Sequence, residues 1–501
     1  MQTYLPTRVD PPPTSKRRGR RPAPGAPSPV TWLVLLAAAG GAAYLIDQYP
    51  IAAFGFVIAC GLFLGFAPRP AATGIALAAL VPITSGLRRG FPVPGLRVSE
   101  ALIVVGAVIV LLRLPAARAS RRWTTLDWAV AAYTLGGPAI EFLDVVASGR
   151  TLTGSSLQTI AGPVQFLLLY RVIAVSLTDA DDARNAQRAL LLASIPVSLL
   201  AVAESLGPPA VHNTLVSWTG TTVFNTNGYT PVPRAASVFP IWLSLAGYLL
   251  VPLLLAIALL LGRGFAVLPR WTLITVVVCA FGALVASLTL TVFAAAVAGA
   301  LFLGWRYRRL FRVVAATCAV GVVAALPFGA LLTQRATAQQ QAATQTGNPY
   351  VPQTIAYRIQ IWQDQYLPAL HGHWATGYGP EYPPNITWAH TESGYITLLL
   401  RGGIPYLAIT AVMLWFVVSS ARNGALTAVS AERRSLCEAV MALALLQPLI
   451  NLTFPYLTDG GLPQPLWIVI GLLAAGHSRS AKTGLASAFD QDVVYRREAL
   501  T

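Results

Sequence analysis

His390 stands just ahead of an apolar run that begins at Gly394, at the end of a long polar segment opening at Gln334. A neutral imidazole in that position can accept a proton from a hydroxyl. Glu392, two residues on, either orients the ring or competes for its role. The plainer account is an interfacial histidine bonded to backbone. Earlier in the segment, Ile355, Ile359, Trp362 and Tyr366 share one helical stripe between Thr354 and Leu367. Arg358 lies on its flank, and Pro368 is expected to end the helix. A cation at the edge of an amphipathic helix lying on a leaflet suits an anionic lipid headgroup. A packing helix with a solvated arginine is the alternative.

Gly377-Tyr378-Gly379 reads as a tight turn. His371 and His373, separated by one glycine, have only Asp364 and Glu381 as nearby helpers and match no metal-ligand spacing. The chain has no phosphate-cradling loop and no serine-triad signature. No metal and no cofactor is expected.

The elements that must position these groups are membrane helices. The 501 residues are 55% hydrophobic and only 11% charged, against about 25% in a soluble globule. The mean hydropathy is +0.61, and apolar runs of about 20 residues recur along the chain. The expected fold is all-α, a polytopic transmembrane bundle of 12–14 spans with a large extracytoplasmic loop. Spans are placed near 30–47, 50–67, 70–86, 98–113, 126–143, 156–177, 187–206, 238–261, 271–287, 289–304, 313–332, 394–418, 436–452 and 465–477. Residues 1–29, rich in proline and basic residues, read as a disordered cytoplasmic tail. The organisation is then a bundle over 30–332 with an external loop at 207–237, a loop domain at 333–393, further spans over 394–477 and a tail at 478–501.

The net charge of +16 does not indicate nucleic acid, because its cations cluster at span ends. With both termini inside, 26 of the 35 Lys and Arg fall on the inner side and eight outside, as the positive-inside rule expects. Arg171 is the lone mid-span cation, and snorkelling to the cytoplasmic interface accounts for it. The eight outer cations include Arg88, Arg89, Arg97, Arg234, Arg358 and Arg401, and topology alone does not explain them. The four cysteines all lie in apolar spans, so no disulfide framework is expected.

Taken in order, Arg234 before the Pro240 span, Arg358 with Trp362, Gly377-Tyr378-Gly379, His390 and a span carrying Gly402-Gly403 resemble the O-antigen ligase and polymerase superfamily. The resemblance covers residues 230–420. It departs from the family pattern at Ser287–Val292, which carries no cation, at Thr391, where asparagine is usual, and at Arg401, near the place of a glutamate. It implies an enzyme that moves a glycan from an undecaprenyl-pyrophosphate carrier to an acceptor hydroxyl on the extracytoplasmic side of the plasma membrane. The implied reading is a metal-independent polysaccharide polymerase, with a ligase as the alternative. Its partners would be the lipid-linked donor, the glycan acceptor, the bilayer and other polysaccharide-assembly proteins.

In that reading His390 is the general base. Arg234 and Arg358, with Arg88, Arg89 or Arg97, meet the leaving pyrophosphate, since guanidinium groups hold phosphate oxygens bidentately. Trp362 and Tyr378 offer flat faces to sugar rings. One rival is a transferase using an acid in the first external loop, where Asp47 sits in a loop too short to bind substrate. The other is a lipid-linked-glycan flippase, which needs ionisable groups along a membrane path.

Overall fold

A computed structural model of the chain describes residues 70–88, 97–113, 123–177, 179–206, 209–220, 234–319, 328–330, 332–334, 337, 353–381, 386, 391–458 and 461–475. The two tails, the spans expected at 30–47 and 50–67, Asp47, Arg89 and His390 lie outside these residues. The described elements are all helical: α1 (Pro70–Thr84), α2 (Val98–Arg113), α3 (Thr125–Ala147), α4 (Gly154–Ser176), α5 (Ala180–Leu206) and α6 (Pro209–Thr219) come first. They are followed by α7 (Trp242–Gly262), α8 (Arg270–Ala286), α9 (Leu290–Arg306) and α10 (Leu310–Ala319). The loop helix α11 occupies 353–370, and α12 (Gly394–Leu426), α13 (Ala431–Ile450) and α14 (Pro463–Ala475) complete the bundle. Helices α3, α4, α5, α7 and α12 are long and apolar enough to cross a membrane. Every span expected from residue 70 onward has a helix at its place, although residues 320–327 of the 313–332 span are outside the described set.

Helices α7 and α14 form the centre. All residues of α14 are buried, and Trp467 stacks on Tyr133 of α3 and Phe166 of α4 at centroid distances of 5.8 and 6.1 Å. Around them α7 packs on α8, α9 and α13, while α5 packs on α1 and α8. Two ends result. One, the arginine-rich end, carries Arg263, Arg270, Arg306, Arg308, Arg309 and Arg312. The other, the loop end, carries α11 and the turns that follow it.

More ionisable groups lie within the bundle than the apolar runs suggested, and several are tied to a partner. Arg171 does not merely snorkel: its Nη1 lies 2.7 Å from the Oδ1 of the fully buried Asp127, and its guanidinium covers Trp123 at 4.9 Å. Tyr170 donates to the same Oδ1. Arg306 binds both carboxylate oxygens of buried Glu438, each at 2.9 Å. Burying a carboxylate unpaired costs several kcal/mol, so each acid selects a cation from a neighbouring helix.

Two helices are locally irregular. In α11, Pro368 does not stop the helix. Residues Trp362–Tyr366 widen into a π turn, and the Leu367 amide donates to the Trp362 carbonyl. The helix then continues to Leu370. The wide turn shifts the phase of the buried face. Ile361, Tyr366 and Leu370 face inward onto Ile396 and Leu400 of α12, whereas Ile355 and Ile359 of the expected stripe are exposed.

In α12 the helix breaks at Gly402–Gly403, where φ/ψ reach −153°/21° and 62°/−162°. Pro405 lacks the amide that would bond back to residue 401, which weakens the helix at this point. The turn at 374–379 fills the break. Tyr378 donates its amide to the Leu400 carbonyl, and Ile404 donates to the Trp374 carbonyl at 2.8 Å. Gly377 has φ of 69°, and a Cβ there would lie 2.5 Å from the Leu400 carbonyl oxygen. Gly372 shares a positive φ of 85° but has open space around it.

The contrast gives a test of this joint. Gly377→Ala combines a left-handed strain of roughly 1–2 kcal/mol with a backbone clash, whereas Gly372→Ala carries the strain alone. Thermal unfolding of the purified protein in detergent should therefore fall clearly further for Gly377→Ala than for Gly372→Ala.

Candidate active site

The loop end is built by α11 clamping the chain that leads into α12. Arg358 donates through Nε and Nη2 to Glu392 Oε2, at 3.2 and 2.8 Å. One helical turn on, the Trp362 indole donates to the Thr391 carbonyl at 2.9 Å. From the other side, the Gly394 amide donates to the Asn451 carbonyl at 2.7 Å. Thr391 and Thr397 share a hydroxyl–hydroxyl contact of 2.5 Å. Residues 391–394, immediately after His390 in the chain, are thus fixed to three elements. Tyr456 is buried beside this pair. Burial pushes its phenol well above the ordinary value, with Arg358 pulling it down and Glu392 pushing it up, so its proton stays on.

Thr397 also lines a polar cavity of about 340 Å³ between α2, α4, α12 and residues 379–381. Arg97, Glu100, Gln158, Gln165 and Glu381 contribute polar groups to its wall. Arg401 closes one side. Its Nε lies 2.8 Å from Glu141 Oε1 and its Nη2 donates to Glu141 Oε2 at 3.0 Å and to the Thr159 carbonyl at 2.9 Å. Behind Gly379 of that wall, Arg150 donates to Asp144 and, at 2.9 Å, to the Tyr378 carbonyl. Ser156 donates to Glu381. The cavity therefore holds carboxamide, hydroxyl and carboxylate groups that hydrogen-bond sugar hydroxyls, with two guanidinium groups among them.

A second group gathers at the start of α7. Glu204, at the end of α5, accepts from the amides of Ala236 and Ser237 at 2.8 and 2.6 Å, and His212 Nδ1 lies 2.9 Å from its other oxygen. Ala235 donates its amide to the Ala286 carbonyl. These bonds hold Arg234, whose guanidinium covers the Trp242 ring at 4.5 Å. The backbone next to Arg234 is thereby tied to the end of α8, just before the Ser287–Thr289 stretch that carries no cation of its own. Arg88 is exposed nearby, following a turn in which Gly86 presses on Val238 and Phe239.

The sequence-derived residues thus fall into two groups. Arg358, Trp362 and Tyr378 are brought together in the loop unit, while Arg88 and Arg234 sit with the start of α7. Tyr378 gives its hydroxyl to the Ala369 carbonyl at 2.8 Å and stacks on His373 at 4.1 Å, contacts that tie the turn to the end of α11. Among the described residues no group of three His, Cys, Asp or Glu comes together as a metal site. The Arg401–Glu141 pair was not anticipated. Its signal was present, since a glutamate inside the 126–143 run needs a cation, but nothing local names a partner 260 residues away.

No curated protein matches the chain. A protein-family model does match, over a segment that begins in α8, crosses α9 and the loop unit, and ends in α12 just beyond the Gly402–Gly403 break. This overlaps the 230–420 stretch whose residue order resembles the same superfamily. Residues 274–411 of this membrane helix bundle match the family described as O-antigen ligase, and the match supports a membrane glycosyltransferase of that type.

Proposed function

We propose that the chain transfers a glycan from an undecaprenyl-pyrophosphate carrier to an acceptor sugar hydroxyl, acting as a polysaccharide polymerase without a metal. The observation that carries this reading is the clamp on residues 391–394, which fixes the chain directly after His390 beside a polar cavity. In the reaction the acceptor hydroxyl oxygen attacks the anomeric carbon. The bond from that carbon to the phosphate oxygen breaks, and the pyrophosphate leaves with the electron pair. His390 takes the hydroxyl proton as general base.

Arg88, Arg89 and Arg234 are assigned to the pyrophosphate, whose charge grows as the bond breaks. The Glu204 bonds to the Ala236 and Ser237 amides, which fix the backbone just after Arg234, support that assignment. Arg358 spends two of its nitrogens on Glu392, so it is assigned as the residue that positions the His390 segment. Trp362 does the same through Thr391. The cavity bordered by Arg97, Arg401 and Glu381 is assigned to sugar hydroxyls, and exposed Ile355, Tyr357 and Ile359 set α11 against the leaflet. The loop end is then extracytoplasmic, with both termini on the arginine-rich, cytoplasmic side. The family description favours the ligase as second reading; the cation-free Ser287–Val292 junction favours the polymerase.

Loss of the general base costs on the order of 10²–10⁴-fold. Purified His390→Ala should therefore lose transfer by about that factor while inserting normally, and a chelator should leave the wild-type rate unchanged. Arg358→Ala should also lose transfer, and the exchanged pair Arg358→Glu with Glu392→Arg should recover part of it. Unchanged polymer length in both alanine variants removes the assignment.

A deletion strain separates the two enzymes. Loss of a polymerase leaves single repeat units on their acceptor. Loss of a ligase leaves the acceptor bare and long chains stranded on lipid.

A further inference from the structure

At the arginine-rich end, away from the loop unit, a cavity of about 450 Å³ opens between α7, α8, α9 and α10. Its mouth is ringed by Arg263, Arg270, Arg309 and Arg312, and its depth is apolar, with Ile257, Ile274, Phe281 and Val297 among the walls. Arg270 and Phe281 lie on the same helix, and their separation in sequence corresponds to roughly 16 Å at 1.5 Å per residue. Half of a hydrocarbon core about 30 Å thick is about 15 Å. The groove thus runs the depth of one leaflet, with its cations at the level of the headgroups.

The four arginines differ from others at this end. Arg306 is bound to Glu438, Arg433 donates to the Leu472 and Leu473 carbonyls, and Arg434 covers Tyr307 at 5.8 Å. None of Arg263, Arg270, Arg309 and Arg312 has a side-chain hydrogen bond or ion pair with any described residue. They surround one opening, and no carboxylate lines it. Topology requires only that cations lie on this side of the membrane. Their convergence without a protein counter-ion on an apolar slot of leaflet depth calls for an anion attached to a chain.

We infer that this groove is a site for an anionic phospholipid, with its phosphate among Arg263, Arg270, Arg309 and Arg312 and one acyl chain between α8 and α9. The lipid fills a cleft that neighbouring helices leave open and ties α10 to α7 and α8. The inference rests on the chain being a membrane bundle and is independent of the transfer reaction at the loop end.

The test uses the full chain, solubilised and exchanged into mixed micelles of phosphatidylglycerol and phosphatidylcholine, with retained lipid counted by native mass spectrometry. One phosphatidylglycerol should stay bound, at least tenfold in preference to phosphatidylcholine. The triple variant Arg270→Gln/Arg309→Gln/Arg312→Gln should lose that preference, whereas Arg308→Gln/Arg422→Gln/Arg434→Gln should keep it. Ala316→Trp, which fills the groove and leaves every arginine in place, should displace the lipid as well. Equal retention of the two lipids by the wild-type protein, equal loss in both triple variants, or full retention by Ala316→Trp overturns the site. Displacement of the lipid by inorganic phosphate alone also overturns it, because it would show that the acyl chain contributes nothing.

Discussion

A break in a helix inside a membrane protein leaves carbonyl and amide groups that lipid cannot satisfy, and burying them without a partner is costly. At Gly402–Gly403 those groups are met by another part of the chain. Tyr378 donates to the Leu400 carbonyl and Ile404 donates to the Trp374 carbonyl. The break can exist only because the 374–379 turn fits it, and the turn fits only because Gly377 and Gly403 carry no side chain. Everything at the loop end follows from this joint. It fixes α11 over the start of α12, aligns Arg358 and Trp362 with residues 391–392, and holds residues 379–381 against the polar cavity.

The same joint explains the electrostatics. Arg401, one residue before the break, is the cation that Glu141 requires, and it reaches across to α3 with both carboxylate oxygens engaged. The pair fastens the first half of the bundle to the second where the helix is weakest. Removing one member of such a pair leaves an uncompensated charge, typically worth about 3–5 kcal/mol. The proposed chemistry therefore sits on a rigid frame whose polar groups are spent on each other. Arg358, expected to face a phosphate, belongs to that frame through Glu392.

Most helices from Pro70–Thr84 to Pro463–Ala475 were legible because they fall where the apolar runs fall; α11 was legible only from its stripe, and α6 lies in the stretch read as an external loop. The turn at 377–379 was legible from its glycines. Pairings were not. Arg171 with Asp127, Arg401 with Glu141 and Arg306 with Glu438 join residues far apart in sequence, and hydropathy does not say which cation meets which acid. The buried face of α11 was misread because periodicity assumes 3.6 residues per turn, and the π turn at Trp362–Tyr366 resets that phase. Ile355 and Ile359 face outward as a result, while Tyr366 and Leu370 take the core.

The most direct measurement of the joint is amide hydrogen exchange in the detergent-solubilised protein, resolved over residues 372–380 and 398–406. If the turn seals the break, the amides of Tyr378 and Ile404 exchange as slowly as those inside α12, while that of Gly372 exchanges rapidly. Rapid exchange at Tyr378 and Ile404 would contradict the account, since the loop would then not be docked in the break and could not hold the chain that follows His390.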